Sequence, residues 1–218
     1  EGNEESIKFG IVGAIRHPQI DYNQILYCKA PYANKPTQVI NYVSCHDDLC
    51  LMDKLKLSAP KDATPDELIR FGKLAQTIIF TSQGTPFIFA GEEVFRDKKG
   101  HHNTFNMPDS VNAIDWNLKT LNGSQYDYYR NLIALRKAHP AFRMTTAEDI
   151  ARHLRFDKID SAKQPNLISY SLIDNAGGDE WKEIKVIFNG ADHAQTVKVP
   201  KGNWKIVAED GRISPTGD

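Results

Sequence analysis

The residue types that invite chemistry cluster at the end of one short stretch, Gln38–Asp48. Val39, Ile40, Tyr42 and Val43 are β-branched or aromatic, and so short an apolar run predicts a strand buried on both faces. The run stops in Cys45, His46, Asp47 and Asp48, residues that a buried strand does not carry. An imidazole beside a carboxylate at the carboxyl end of a buried parallel strand is where α/β-barrel enzymes keep their chemistry. A surface turn in which an aspartate caps the next helix reads equally well from these residues alone. Cys45 and Cys50 flank His46 and Asp47, so a zinc site has to be weighed. The spacing is not C-x-x-C, and His101–His102 is the only other candidate pair, so the expectation is no metal and free thiols at Cys28, Cys45 and Cys50.

The elements that would position this cluster follow at once. Gly84–Glu93 is a second short apolar run, Thr85–Ala90, that ends in glycine and two carboxylates, Glu92 and Glu93. Between the two runs, Thr64-Pro65-Asp66-Glu67 opens a helix. Thr64 can cap it, Pro65 fits the first helical position, and Glu67 completes a capping box. Leu68, Phe71, Ala75, Ile78 and Ile79 recur at helical spacing, Gly84 suits a left-handed cap, and Pro86 prevents continuation. Strand, helix, strand in this order predicts a crossover with parallel strands. Before Gln38 the chain is harder to read: Ile7–Gly13 suits a short strand or a helix end.

Composition narrows the classes. The 218 residues are 40% hydrophobic and 25% charged, with a net charge of -1, so no basic face argues for nucleic acid or an anionic membrane. No apolar run approaches the roughly 20 residues that span a bilayer. Glu1–Glu5 is acidic and lacks the pattern of a signal peptide. With no initiator methionine, the chain reads as part of a longer or processed protein, for which export and the cytoplasm both stay open.

Residues 94–124 read as a long loop rich in hydrogen-bonding side chains, with Phe95, Phe105 and Trp116 among them. Hydroxyls need paired donors and acceptors, and pyranose faces stack on aromatic rings, so this mixture suits a sugar; a solvated surface loop is the plain alternative. A second helix is expected near Gln125–Ala138, stopped by Pro140. From about Thr146 the period changes to two. Ile168, Tyr170 and Leu172, then Ile184, Val186 and Phe188, Val197 and Val199, and Trp204 and Ile206 alternate with polar residues between turn clusters, which predicts an antiparallel sheet domain. Pro215–Asp218 reads as a turn leading onward.

With these residues in view, the chain resembles the carboxy-terminal part of a type I pullulanase, a debranching enzyme of the α-amylase superfamily. Asn41–Asp47 looks like the superfamily's strand ending in His-Asp, and Gly84–Glu93 looks like its eighth barrel strand. Lys98-Lys99-Gly100, Asn103 and Asn106–Trp116 look like the pullulanase form of the following loop. Cys45, Asp48 and Cys50 depart from what relatives more often carry.

The resemblance implies an α/β part followed by an all-β part. Residues 1–145 would be the last part of a (β/α)8 barrel, and residues 146–218 an antiparallel β-sandwich domain. It implies that Asp47 stabilises the transition state and that His46, Arg96 and Asn103 bind substrate, an α-glucan such as pullulan, branched maltodextrin, starch or glycogen, with no cofactor. Glu92 and Glu93 would buttress the barrel mouth. The superfamily's nucleophile sits in a Gly-x-Arg-x-Asp pattern, and Gly13-Ala14-Ile15-Arg16-His17 does not supply it. Nucleophile and acid/base are thus both expected to be absent here. Unpaired strand edges predict self-association, covering by residues 1–37, or poor solubility. A branching-enzyme or α-amylase fragment, and a binding module using Trp181 and Trp204, are the alternatives.

Overall fold

The computed structural model describes residues 2–214. The expected turn at Pro215–Asp218 lies outside the described residues. The chain divides into two compact units. One is built on the residues up to Asn41 with Thr81–Pro86 and Arg136–Trp204; the other on Tyr42–Phe80, Phe87–Leu135 and the described residues from Lys205. No helix among the described residues is long and apolar enough to cross a membrane.

In the first unit, Ile7–Gly13 resolves as the end of a helix, α1 (Glu4–Ile11), with Glu4 and Glu5 in its first turn, where the helix dipole favours acids. The expected parallel pair is present as β1 (Ile40–Asn41) and β2 (Thr85–Pro86), with Ile40 opposite Thr85 and Asn41 opposite Pro86. Gly84 precedes β2 at a φ of 99°, a conformation that disfavours any side chain. The pair departs from expectation in length and burial: Ile40 is 62% exposed, while Val39 just before it is buried.

Helix α7 (Ala147–His153) carries an N-cap at Thr146, whose hydroxyl accepts from the Asp149 amide. It leads into an antiparallel sheet of β3 (Leu154–Phe156), β4 (Leu167–Leu172) and β5 (Ile184–Asn189). Every residue of β4 is buried, so it is the centre of the sheet by burial as well as by pairing. Tyr170 in its middle donates its hydroxyl to the Thr81 carbonyl at 3.0 Å, which satisfies the one polar atom of a fully buried ring. The alternation at Val197–Val199 and Trp204–Ile206 yields no strands. No ladder partner flanks them among the described residues, and Val199 and Ile206 stay exposed; alternation becomes a strand only where a neighbour takes its backbone bonds.

The second unit contains α2 (Leu51–Ser58) and α3 (Pro65–Thr81). The capping box forms as read: the Thr64 amide donates to Glu67 at 2.7 Å, and the Glu67 amide to the Thr64 hydroxyl at 3.3 Å. The buried stripe of α3 is not the apolar set expected. Phe71 is exposed, and Gly72, Gln76 and Phe80 face inward. Gly72 is required there, because a Cβ would lie 2.5 Å from the Phe95 ring. The 94–124 loop contains two single-turn helices, α4 (Asp109–Asn112) and α5 (Leu118–Leu121), before α6 (Gly123–Ala138). Phe80, Tyr128, Tyr129, Leu132 and Ile213 form one cluster of its core, with Ile79 and Ile88 against it. Ile213 belongs to β7 (Arg212–Ile213), the partner of β6 (Ala208–Glu209).

Candidate functional site

After β1 and β2 the backbone leaves the ladder because side chains take its polar groups. Lys54 donates to the Val43 carbonyl at 2.9 Å. The Phe89 amide donates to Glu92 at 3.3 Å and the Gly91 amide to Glu93 at 2.9 Å. Phe87–Ala90, expected as strand, is therefore an irregular segment that turns at Gly91, whose φ is 95°.

The two segments are tied by a buried carboxylate. Glu92 accepts from the Ser44 hydroxyl on one oxygen and from Gln76 at 2.9 Å on the other. Ser44 also accepts from the Leu51 amide at 3.1 Å, which closes the 44–51 segment onto the start of α2. Burial pushes the Glu92 carboxyl up to about 7, against the pull of its hydrogen bonds and of the Lys54 ammonium.

A second brace runs the other way. Asp53 on α2 is buried and accepts from the Lys98 amide at 2.7 Å and the Gly100 amide at 2.9 Å. Lys98, 1% exposed, reaches back to donate to the His46 carbonyl at 3.0 Å and to the Thr104 hydroxyl at 3.1 Å. Helix α2 thus holds the 98–100 backbone, and that loop holds the backbone at His46, each through a buried charge.

On this frame lies a cleft of about 290 Å³. His46, Asp47, Arg96 and Asn103 all line it, with Phe89, Lys98, His102, Thr104, Phe105 and Asn112. The side chains of His46 and Asp47 are 81% and 83% exposed, with Nε2 and Oδ1 3.3 Å apart, so both present polar atoms to solvent. Arg96 is buried: one terminal nitrogen donates to the Ala90 carbonyl at 3.2 Å, the other to Asn112, and its carbon lies 5.0 Å from the Phe89 ring centre. Its terminal nitrogens are engaged in bracing the wall. Asp48 is paired with His102, which holds its carboxyl below the usual range. Phe105 is 85% exposed at the rim, while Phe95 is buried against Tyr129.

The bracing roles of Lys98 and Asp53 carry little signal in the sequence. A lysine in a polar loop reads as solvated, and its only sequence signal is the Lys98-Lys99-Gly100 turn. For a metal, the described residues offer one group, Cys45, His46 and Asp47, whose ligand atoms lie within 4.8 Å of one another. His101 and His102 are not part of it.

Comparison with known proteins gives a consistent picture. A family model described as "Pullulanase, all-beta domain" matches residues 150–212. The chain is 39% identical over 171 residues to the pullulanase of Bacillus subtilis, covering 78% of this chain and 23% of that protein. The apo pullulanase of Paenibacillus barengoltzii superposes with a TM-score of 0.84 at 37% identity, covering 95% of this chain and 30% of that one. The same enzyme in complex with maltohexaose and α-cyclodextrin gives a TM-score of 0.80 at 38% identity, over 90% and 28%. The chain spans under a third of the length of these relatives.

Proposed function

We propose that this chain, a homologue of pullulanases by sequence and by structure, is the sugar-holding part of a retaining hydrolase that debranches α-glucans at α-1,6 bonds. In this reading residues 1–145 are the last part of a (β/α)8 barrel and residues 146–218 its β-sandwich domain. The observation that carries it is the cleft, in which His46, Asp47, Arg96 and Asn103 come together beside an exposed aromatic ring.

The chemistry follows from charge. As the bond to a leaving sugar breaks, positive charge gathers at the anomeric carbon, and hydrogen bonds to neighbouring hydroxyls strengthen in that state. Asp47 accepts from the 2- and 3-hydroxyls of the distorted ring, and His46 supports the same sugar. Asn103 and the rim, with Phe105, hold the adjoining unit, and Arg96 keeps the wall in place. Glu92 stays out of the reaction, since its carboxyl is buried and fully engaged. The two carboxyl groups that a retaining glycosidase places about 5 Å apart across the bond lie outside this chain's motifs. The complex of the Paenibacillus relative with maltohexaose supports an α-glucan as ligand. A binding module on Trp181 is not favoured: one face of that ring is taken by His139, 3.7 Å away between ring centres. Exposed Tyr42 and Phe87, in edge contact at 6.0 Å, are the surface through which a second copy would associate.

The experiment is direct. The purified 218-residue chain binds maltotetraose in calorimetry, the paired substitutions His46→Ala and Asn103→Ala abolish the heat, and no reducing ends appear with pullulan. Binding that ignores His46 and Asn103, or turnover that survives repurification, overturns the proposal.

A further inference from the structure

The cysteine beside the His-Asp pair adds something that glucan binding does not use. We propose that Cys45, His46 and Asp47 form a binding site for a thiophilic divalent cation such as zinc.

The ligand set is the first argument. Thiolate, imidazole and carboxylate are the three protein donors that zinc takes, and three protein ligands with one open position is the arrangement of an accessible zinc site. Geometry is the second. Tetrahedral bonds of about 2.0–2.3 Å put neighbouring ligand atoms roughly 3.3–3.6 Å apart. Nε2 of His46 and Oδ1 of Asp47 are already 3.3 Å apart, and no pair in the group exceeds 4.8 Å. Closing the remaining gap needs only rotation of side chains, since those of His46 and Asp47 are more than four-fifths exposed. Packing is the third. The Lys98 ammonium holds the His46 carbonyl at 3.0 Å, so the backbone that carries the ligands is fixed before the ion arrives.

Neighbouring groups leave the set well defined. Asp48 is engaged by His102. Cys50 is buried, donates to Asp53 at 2.9 Å, and burial pushes its thiol up to about 11, so it does not compete. Binding balances simply: Cys45 releases its thiol proton to solvent, His46 binds as the neutral ring, Asp47 binds as the carboxylate, and water completes the shell. Because the ion takes the polar atoms of His46 and Asp47, it competes with maltotetraose. That competition rests on the proposed glucan reading; the metal site does not.

Cobalt reports the site without any sugar. The 218-residue chain titrated with Co²⁺ develops a sulfur-to-cobalt charge-transfer band in the near ultraviolet. The band persists in Cys28→Ser, disappears in Cys45→Ser, and Zn²⁺ titrates it away. Zinc affinity measured by calorimetry falls at least roughly tenfold in Cys45→Ser and in His46→Gln. Cys45→Ser replaces one atom on a half-buried side chain, so folding is kept, as far-ultraviolet circular dichroism checks. A band that survives Cys45→Ser, or zinc affinity equal in wild type and both variants, overturns the proposal.

Discussion

Glu92 gives the sharpest quantitative prediction. Its carboxyl is 2% exposed and its pKa rises from 4.5 to about 7, with loss of hydration as the leading cause. Between those values the folded chain holds a proton that the unfolded chain has released. Stability therefore falls as pH rises across that window. The contribution is fully present below pH 4.5 and lost as pH passes about 7. At about 1.4 kcal/mol per unit, the loss is about 3 kcal/mol.

Glu92→Gln removes this dependence and keeps the geometry. The amide oxygen accepts from Gln76 and the Phe89 amide, and the amide nitrogen donates to Ser44, whose hydroxyl proton is free to turn. Urea unfolding of wild type and variant at pH 4.5 and pH 8, followed by tryptophan fluorescence, measures the effect. Other groups that titrate in this window cancel in the comparison. The variant gains about 3 kcal/mol on wild type between the two pH values, about 1 M or more in midpoint. Parallel stability curves for the two proteins over this range would refute the argument that burial dominates at Glu92.

Three further substitutions test the frame. Lys98→Met leaves the His46 carbonyl and the Thr104 hydroxyl without their donor; it costs about 1–3 kcal/mol in urea unfolding and weakens maltotetraose binding in calorimetry. Gly91→Ala puts a side chain at a φ of 95° and a Cβ 2.7 Å from Arg96 Cδ; it lowers stability by about 1–3 kcal/mol and displaces the Arg96 side chain in a crystal structure. Thr64→Ala removes the hydroxyl half of the capping box of α3 and costs about 0.5–2 kcal/mol, read as a lower urea midpoint.

What the sequence disclosed and what it hid divide along a physical line. The capping box at Thr64 and Glu67 is read from sequence because its partners are neighbours on the chain, and the parallel pairing of β1 and β2 follows from the helix between them. The extent of those strands was not legible. The amides of Phe89 and Gly91 are free to join a ladder until Glu92 and Glu93 fold back onto them, and an apolar run gives no sign of that. The buried face of α3 departs from its apolar pattern for a related reason. Ile78 and Ile79 advertise burial by type, whereas Gln76 is buried because a carboxylate distant in sequence needs its amide.

The same division explains how the candidate site is built. His46 and Asp47 are exposed, as a pair that meets a ligand from solvent has to be, and exposed side chains contribute little to holding their own loop. Positional order must come from groups that the ligand never meets. Here those groups are buried: the Glu92 carboxyl under Ser44, and two charges, Asp53 under the Lys98 and Gly100 amides and Lys98 under His46. A buried charge makes a stiff brace, because leaving it unpaired costs several kcal/mol or more, so the loop that satisfies it has few alternatives. Motifs that do chemistry can thus be read along the chain, while the residues that make them effective become visible only once the loops are folded against each other.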